Sequence, residues 1–340
     1  MAREGFGRMK YLHIVPGADD VANGMARVAR LLAKEQGDAE VVDLNNGKRG
    51  TGNGELGMGS GKGEEFGVES LEEVWVHGMW LPREWAICRR VIKAGKRLVR
   101  MTHGSLSPVY LKNQSPIKKC LVGPIERYWL RKAARIVATC DAEKAWIEAY
   151  LGKKCPEIAV EDIKRFFKLG VRSQELGVRG LRENSKLHVL YLGRRHPLKG
   201  VEYLERAVRE ISTRSTRSTR LNIELKIVSN AFGEELEKVW EWCDVLVLPT
   251  LSENFGLVVA EALERGKRVI TTDGAPAWGE LGNGEWGRYP PSEASPRSGC
   301  PSRGGNWEDV GDRVVYLKGF RGGSDAERVR LLKDALMMMV

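Results

Sequence analysis

Pro249-Thr250-Leu251-Ser252-Glu253-Asn254-Phe255-Gly256-Leu257-Val258-Val259-Ala260-Glu261-Ala262-Leu263 follows a short apolar run at residues 244–248, and its reading decides the fold. The apolar run predicts a buried strand, and the segment after Gly256 predicts a helix. Glycine at the junction lets a ligand approach the backbone N–H groups that open the helix, where the dipole also favours negative charge. Glu253 and Glu261 stand eight positions apart across that junction. Glu261 lies more than a turn into the helix, where a carboxylate can accept hydrogen bonds from hydroxyls. Phosphate at the helix tip, with a ribose and a sugar beside it, fits this arrangement. Strand, loop and helix with two glutamates also occur widely in α/β proteins, where most glutamates only solvate a face.

A second stretch narrows the choice. In His188-Val189-Leu190-Tyr191-Leu192-Gly193-Arg194-Arg195-His196-Pro197-Leu198-Lys199-Gly200-Val201-Glu202, residues 189–192 predict a buried strand ended by Gly193, with a helix from Gly200. Arg194 and Lys199 then flank a loop at the carboxyl end of a strand, where open α/β sheets bind ligands. A fixed guanidinium and a mobile ammonium suit a diphosphate whose negative charge grows as it leaves. A lone basic loop would read as merely solvated. Two strand-end loops suited to one phosphorylated ligand carry more weight.

Glu253-x7-Glu261 with Asn254-Phe255-Gly256, preceded by Gly193-Arg194-x4-Lys199-Gly200, resembles the C-terminal half of the retaining glycosyltransferases of family 4, glycosyl transferases group 1. Thr271-Thr272-Asp273-Gly274-Ala275-Pro276-Ala277-Trp278 resembles the stretch after that family's donor-site helix. His77-Gly78-Met79-Trp80 and Thr102-His103-Gly104-Ser105-Leu106-Ser107-Pro108 resemble its strand-end loops in the first half. The resemblance spans residues 9–278. It implies the α/β GT-B fold, two Rossmann-like doubly wound domains facing across a cleft.

The resemblance also implies roles. Glu261 would bind ribose hydroxyls and Glu253 the donor sugar. Arg194, Lys199 and the helix start at Phe255, Gly256 and Leu257 would hold the diphosphate, with Gly193 and Asn254 in the same donor-binding set. Asn23-Gly24 would occupy the N-terminal glycine loop, and His103 would touch the donor sugar near the reacting carbon, with His77 a weaker candidate. The donor would be a nucleotide-diphosphate sugar, UDP favoured over GDP or ADP. The acceptor would be a surface glycan or lipid-linked saccharide, of lipopolysaccharide or exopolysaccharide type. Breaking the anomeric bond builds positive charge on the sugar and negative charge on the leaving phosphates. The chain has no Asp-x-Asp triplet, so the cationic side chains are expected to replace a metal, and no permanently bound cofactor is expected.

A chain of 340 residues exceeds what one core usually encloses. The expected division is 1–160 for an acceptor-side domain, 161–185 for a linker and 186–340 for a nucleotide-sugar domain. Strands are expected at 9–15, 40–44, 74–77, 97–101, 136–139 and 158–160, and helices at 23–35, 83–94, 124–134 and 142–151, with Asp141 capping the last. Residues 45–67, the triplet repeat 212–220 and 282–306 read as surface loops. After residues 226–228 the chain passes through Phe232-Gly233-Glu234-Glu235 and a short helix to Asp244, where the family usually carries a further strand–helix unit. That departure bears on the nucleotide-base pocket.

Six scattered cysteines form no C-x-x-C pair and read as reduced thiols. No long apolar run or signal-peptide core is evident, so the expected location is cytoplasmic, peripheral on the inner membrane face. Much of the net charge of +10 sits at 106–135, where Lys112, Lys118, Lys119, Arg127, Arg131, Lys132 and Arg135 face only Glu126. Tyr110, Tyr128, Trp129, Ile117, Leu121 and Val122 are interleaved. Such a segment suits an anionic membrane, while a helix with a solvated cationic side reads equally well. Two other classes stay open: a non-catalytic nucleotide-sugar-binding GT-B protein, and a nucleic-acid-binding protein acting through 106–135, the latter supported by charge alone.

Overall fold

A computed structural model describes residues 10–20, 23–44, 71–169, 186–214, 222–229, 231–279 and 314–339. The loops expected at 45–67 and 282–306 lie outside these residues, as do 170–185 of the expected linker. The chain divides into two compact units, Met1–Ile163 and Lys164–Val340.

The first unit holds a six-stranded parallel sheet in the order β2-β1-β3-β4-β5-β6. Its strands are β1 (Tyr11–Val15), β2 (Ala39–Asp43), β3 (Glu73–His77), β4 (Arg97–Met101), β5 (Arg135–Ala138) and β6 (Glu157–Val160). The connecting helices are α1 (Gly24–Gln36), α2 (Pro82–Lys93), α3 (Pro108–Lys112), α4 (Gly123–Lys132) and α5 (Asp141–Leu151). Every residue of β3 is buried, as expected of a central strand with helices on both faces. One core gathers Leu12, Ile14, Val74, Val76, Leu98 and Leu130. On the other face, Ala26, Ala29 and Ala33 of α1 meet Val15 and Val41, small side chains that let this helix lie close.

The second unit holds a five-stranded parallel sheet in the order β11-β10-β9-β7-β8. It consists of β7 (Lys186–Leu192), β8 (Asn222–Val228), β9 (Val245–Leu248), β10 (Arg268–Thr272) and β11 (Val314–Leu317), with α6 (Val201–Arg214), α7 (Gly233–Trp242), α8 (Leu257–Glu264) and α9 (Asp325–Met338). Chain direction through each sheet reverses between β1 and β3 and between β7 and β9. Ligands of open α/β sheets bind at the carboxyl ends of strands at that point. The short connection read from the sequence is real: α7 leads from β8 directly to β9.

Three expectations are corrected. Cys140, not Asp141, caps α5; Asp141 is its first helical residue, where the dipole favours a carboxylate. Residues 212–214 of the triplet repeat continue α6 instead of opening a loop, with Ser212 Oγ donating to Val208 O and Thr213 Oγ1 to Glu210 O. The remaining residues of that repeat, 215–220, lie outside the described set. Glu126 does not face the cations around it. Its carboxylate is fully buried and accepts from Trp80 N at 2.6 Å and Trp85 Nε1 at 2.7 Å, with Arg100 at 3.5 Å.

Glu126 shares the inner side of α4 with Leu130, while another set of apolar side chains lies outside. A widened turn at Lys118–Val122 runs into α4. Along this segment Ile117 is 69% exposed, Leu121 66%, Ile125 40% and Tyr128 52%. The apolar stripe faces outward while the acid faces in. Arg127 and Arg131 are tied to carbonyls of Tyr150 and Leu151, and Arg135 to Glu73. Lys112, Lys118, Lys119 and Lys132 flank the stripe on the same segment.

Candidate functional site

In the second unit, three strand-end loops are stitched together by backbone hydrogen bonds. Leu251 N donates to Leu198 O at 2.8 Å, joining the loop after β9 to the loop after β7, and Thr250 Oγ1 donates to the same carbonyl at 3.0 Å. Glu253 N donates to Gly274 O at 2.8 Å, joining in the loop after β10. Two glycines permit this closeness. A Cβ on Gly200 would stand 2.1 Å from Pro249 O, and one on Gly274 2.1 Å from Thr250 O. Gly200 also has φ +62°, which an L side chain rarely adopts.

These contacts bring Lys199 and Glu253 into an ion pair through Lys199 Nζ and Glu253 Oε2, with both side chains about a quarter exposed. Glu253 Oε1 also accepts from Asn254 N at 3.2 Å. Arg194 is exposed on the same loop as Lys199, and its carbonyl accepts from the buried Tyr191 hydroxyl at 2.9 Å. Burial raises the Tyr191 pKa, so this hydroxyl stays a donor and braces the loop around Gly193.

Gly256, at φ +71°, caps α8 in the left-handed region and supplies no side-chain acceptor to its first turn. The helix start is therefore open to an anion through backbone N–H groups. Phe255 is 3% exposed, its ring 5.0 Å from Trp278 and 6.5 Å from Phe167, and its carbonyl accepts from Trp278 Nε1. The Phe255 side chain thus anchors the loop, and Leu257 follows as a half-buried first helical residue. Glu261 is buried in the second turn of α8, at 6% exposure.

In the first unit, Asn23 caps α1. Its Oδ1 accepts from Met25 N at 3.0 Å, and its Nδ2 donates to Pro16 O at 2.7 Å and Gly17 O at 3.0 Å. The Asn23 side chain is committed to closing the β1–α1 loop, and the exposed neighbour is Gly24. His103 stands two residues beyond β4 with φ +48°, a strained backbone for a residue with a Cβ. His77, fully buried at the end of β3, places its Nδ1 2.8 Å from His103 Nε2.

Glu143, which sequence reading passed over, holds the His103 loop. Its Oε1 accepts from Thr102 Oγ1 at 2.7 Å and Gly104 N at 2.6 Å, and its Oε2 from Thr139 N and Thr139 Oγ1 at 2.8 Å each. The available signal was a glutamate in the first turn of a helix preceded by threonine, a helix-start pattern. Gln36 and His13, which complete a line of side chains behind His77, were likewise not singled out.

Two all-parallel sheets, each wound in both directions from a switch point, define an α/β protein of the GT-B fold. Sucrose-phosphate synthase from Thermosynechococcus elongatus shares it at a TM-score of 0.56 and 14% identity, covering 98% of this chain and 96% of that one. Anabaena HepE in complex with UDP-glucose shares it at a TM-score of 0.51 and 14% identity, covering 97% and 94%. Residues 186–292 match the family model of glycosyl transferases group 1. A D-inositol 3-phosphate glycosyltransferase of Paenarthrobacter aurescens is 27% identical over 172 residues, covering 42% of this chain and 41% of the relative. An uncharacterized glycosyltransferase of Methanocaldococcus jannaschii is 30% identical over 112 residues, covering 27% and 28%. The chain thus spans less than half the length of these curated relatives.

Proposed function

We propose that this protein is a retaining glycosyltransferase that moves a sugar from a UDP-sugar to a surface glycan or lipid-linked saccharide. The observation that carries the reading is the Lys199–Glu253 pair, which joins two strand-end loops just before the open start of α8. A diphosphate there would meet the Lys199 ammonium, the Arg194 guanidinium and the first N–H groups of α8. These groups stabilise charge that grows as the diphosphate leaves, without a metal. Lys199 has three donors, so it can serve phosphate and Glu253 together. Glu253 would then accept from donor-sugar hydroxyls and Glu261 from the ribose, while His103 orients the sugar. Attack on the face from which diphosphate departs needs no strong protein nucleophile. UDP is favoured because HepE, which shares the fold, was solved with UDP-glucose.

The exposed apolar stripe of this segment supports a lipid-linked acceptor at the cytoplasmic face of an anionic membrane. Exposed Ile117, Leu121 and Ile125 would enter the headgroup boundary while the flanking lysines meet phosphate. Nucleic acid would use the lysines but gives the aliphatic stripe no partner. Among the described residues no helix is long and apolar enough to cross a membrane. A second reading, donor binding without transfer, is favoured by the direct β8–α7–β9 connection.

Thermal shift with UDP, GDP, ADP and their sugar conjugates, each with and without EDTA, tests the donor site by mass action. UDP and UDP-sugars should raise the midpoint of wild type in EDTA, and should fail with Glu261→Ala and Lys199→Ala. No shift with any nucleotide at millimolar concentration rejects the site. A UDP shift without UDP release in the presence of saccharide acceptors selects the second reading.

A further inference from the structure

Three of the protein's five histidines form one hydrogen-bonded line. His13 on β1, His77 at the end of β3 and His103 beyond β4 lie on three neighbouring strands of the first sheet. The strand register pairs His13 with Trp75 and His77 with Met101, so each histidine stands two residues further towards the carboxyl edge than the one before. A two-residue step keeps side chains on one face of a sheet. The rings accordingly meet: His13 Nδ1 is 2.9 Å from His77 Nε2, and His77 Nδ1 is 2.8 Å from His103 Nε2. At the far end, His13 Nε2 lies 2.7 Å from Oε1 of Gln36, the half-buried last residue of α1. The nitrogens point at one another in sequence. Among the described residues, no group of three or more His, Cys, Asp or Glu side chains is arranged to hold a metal ion.

A neutral imidazole carries one N–H and one lone pair. Burial keeps all three rings neutral at pH 7, with Arg100 adding to the effect on His77. Two ring-to-ring hydrogen bonds then permit only two states of the whole line. With Gln36 Oε1 accepting from His13 Nε2–H, His77 Nε2–H donates to His13 Nδ1, and His103 Nε2–H donates to His77 Nδ1. His103 is left with a bare Nδ1, an acceptor. Turning the Gln36 amide so that its NH2 donates reverses every bond and leaves His103 with an Nδ1–H, a donor. The end group decides.

We propose that Gln36, acting through His13 and His77, fixes the tautomer of His103 and thereby whether His103 offers an acceptor or a donor to the sugar. His13, His77 and Gln36 are positioning residues in this scheme. The link to the sugar rests on the donor-site reading above, whereas the line of tautomers does not. Glu143 supports the same end by clamping the backbone on both sides of His103, at Thr102 and Gly104.

The test substitutes Gln36, remote from the reacting atoms, with end groups of opposite character. Gln36→Glu can only accept and should keep the wild-type tautomer. Gln36→Lys can only donate and should invert all three rings. Nitrogen NMR of histidine-labelled full-length protein reads this directly, because bare and protonated ring nitrogens resonate in separate ranges. In parallel, kcat/KM for UDP-sugar turnover should fall by about fivefold or more in Gln36→Lys, the worth of one hydrogen bond, and stay near wild type in Gln36→Glu. An unchanged His103 tautomer in folded Gln36→Lys overturns the proposal. If that variant does not fold, the proposal stands or falls on Gln36→Leu, which removes both partners and should give mixed tautomers. Inversion with unaltered turnover refutes the role at the sugar. Inversion in a protein whose wild type binds no nucleotide refutes the donor-site reading instead.

Discussion

Glu84 should make the first unit less stable as pH rises, and Glu84→Gln should abolish that trend. This carboxyl is fully buried beneath the loop that follows β3, with Oε2 accepting from Leu81 N at 3.2 Å and Oε1 without a partner. Burial raises its pKa from 4.5 to about 7, a rise that Arg100 and the Leu81 N–H oppose and Glu126 assists. A folded-state pKa above the unfolded one means that the folded chain prefers the neutral acid. The contribution is intact below pH 4.5 and is lost as pH climbs through 7. Full loss corresponds to about 3.4 kcal/mol, of which about 2.5 kcal/mol falls between pH 5 and pH 8. His13, lowered to about 4 by burial, acts oppositely by gaining stability as pH rises from 4 to 6.5. It does so in both proteins, so the difference between wild type and variant isolates Glu84. Urea titrations at pH 5 and pH 8, read through hydrogen exchange of β3 and β4 amides, follow this unit alone. Wild type should lose about 2.5 kcal/mol more than the variant over that range. Equal pH dependence in the two would refute the burial argument and place the ionised carboxylate in a solvated or fully paired setting.

Gly200→Ala should cost about 1–2 kcal/mol for its left-handed backbone alone, before the overlap with Pro249 O is relieved, and should abolish UDP-induced stabilisation in thermal shift by parting Lys199 from Glu253. Glu143→Ala leaves the Gly104 and Thr139 N–H groups without their acceptor, at about 1–3 kcal/mol each. Faster exchange at Gly104 should report it, with the second unit unchanged. Leu121→Glu should leave thermal stability near wild type, because the side chain is already exposed, yet weaken sedimentation with vesicles containing anionic lipid. Equal sedimentation of that variant would remove the membrane role of the segment.

The central strands β3, β4 and β9 were legible because they are buried on both faces and read as short, mostly apolar runs, whereas β6 and β8 stay partly exposed. Val245–Leu248 and Arg97–Met101 emerge from the sequence almost residue for residue. The strand-end loops after β7, β9 and β10 were legible for a related reason. Close backbone approach demands glycine at Gly200 and Gly274, the left-handed φ favours it at Gly256, and Lys199 and Glu253 beside them are charge-complementary. Asn23 shows where such reading ends, since one amide at a helix start can cap the chain or meet a ligand. Only its three hydrogen bonds to the β1–α1 loop and Met25 N identify the cap.

The strands and helices of the first unit were legible, but its buried polar groups were not. Periodicity assigns apolar residues to the inside, and here Glu126, Glu143, Glu84 and Arg100 occupy the inside while Ile117 and Leu121 lie outside. Burying a carboxylate is tolerable only where donors converge on it. Glu143 finds its four from Thr102, Gly104 and Thr139, across the strand ends of β4 and β5. Thr139 lies 4 residues away, but Thr102 and Gly104 lie 41 and 39 residues away, so a local window contains only half of the reason for the residue. Distance along the chain also hides the line from Gln36 to His103, whose members are brought together by strand order. In both cases sheet topology converts separated polar residues into one rigid support for His103, and the strained φ of that residue marks the place where the support is needed.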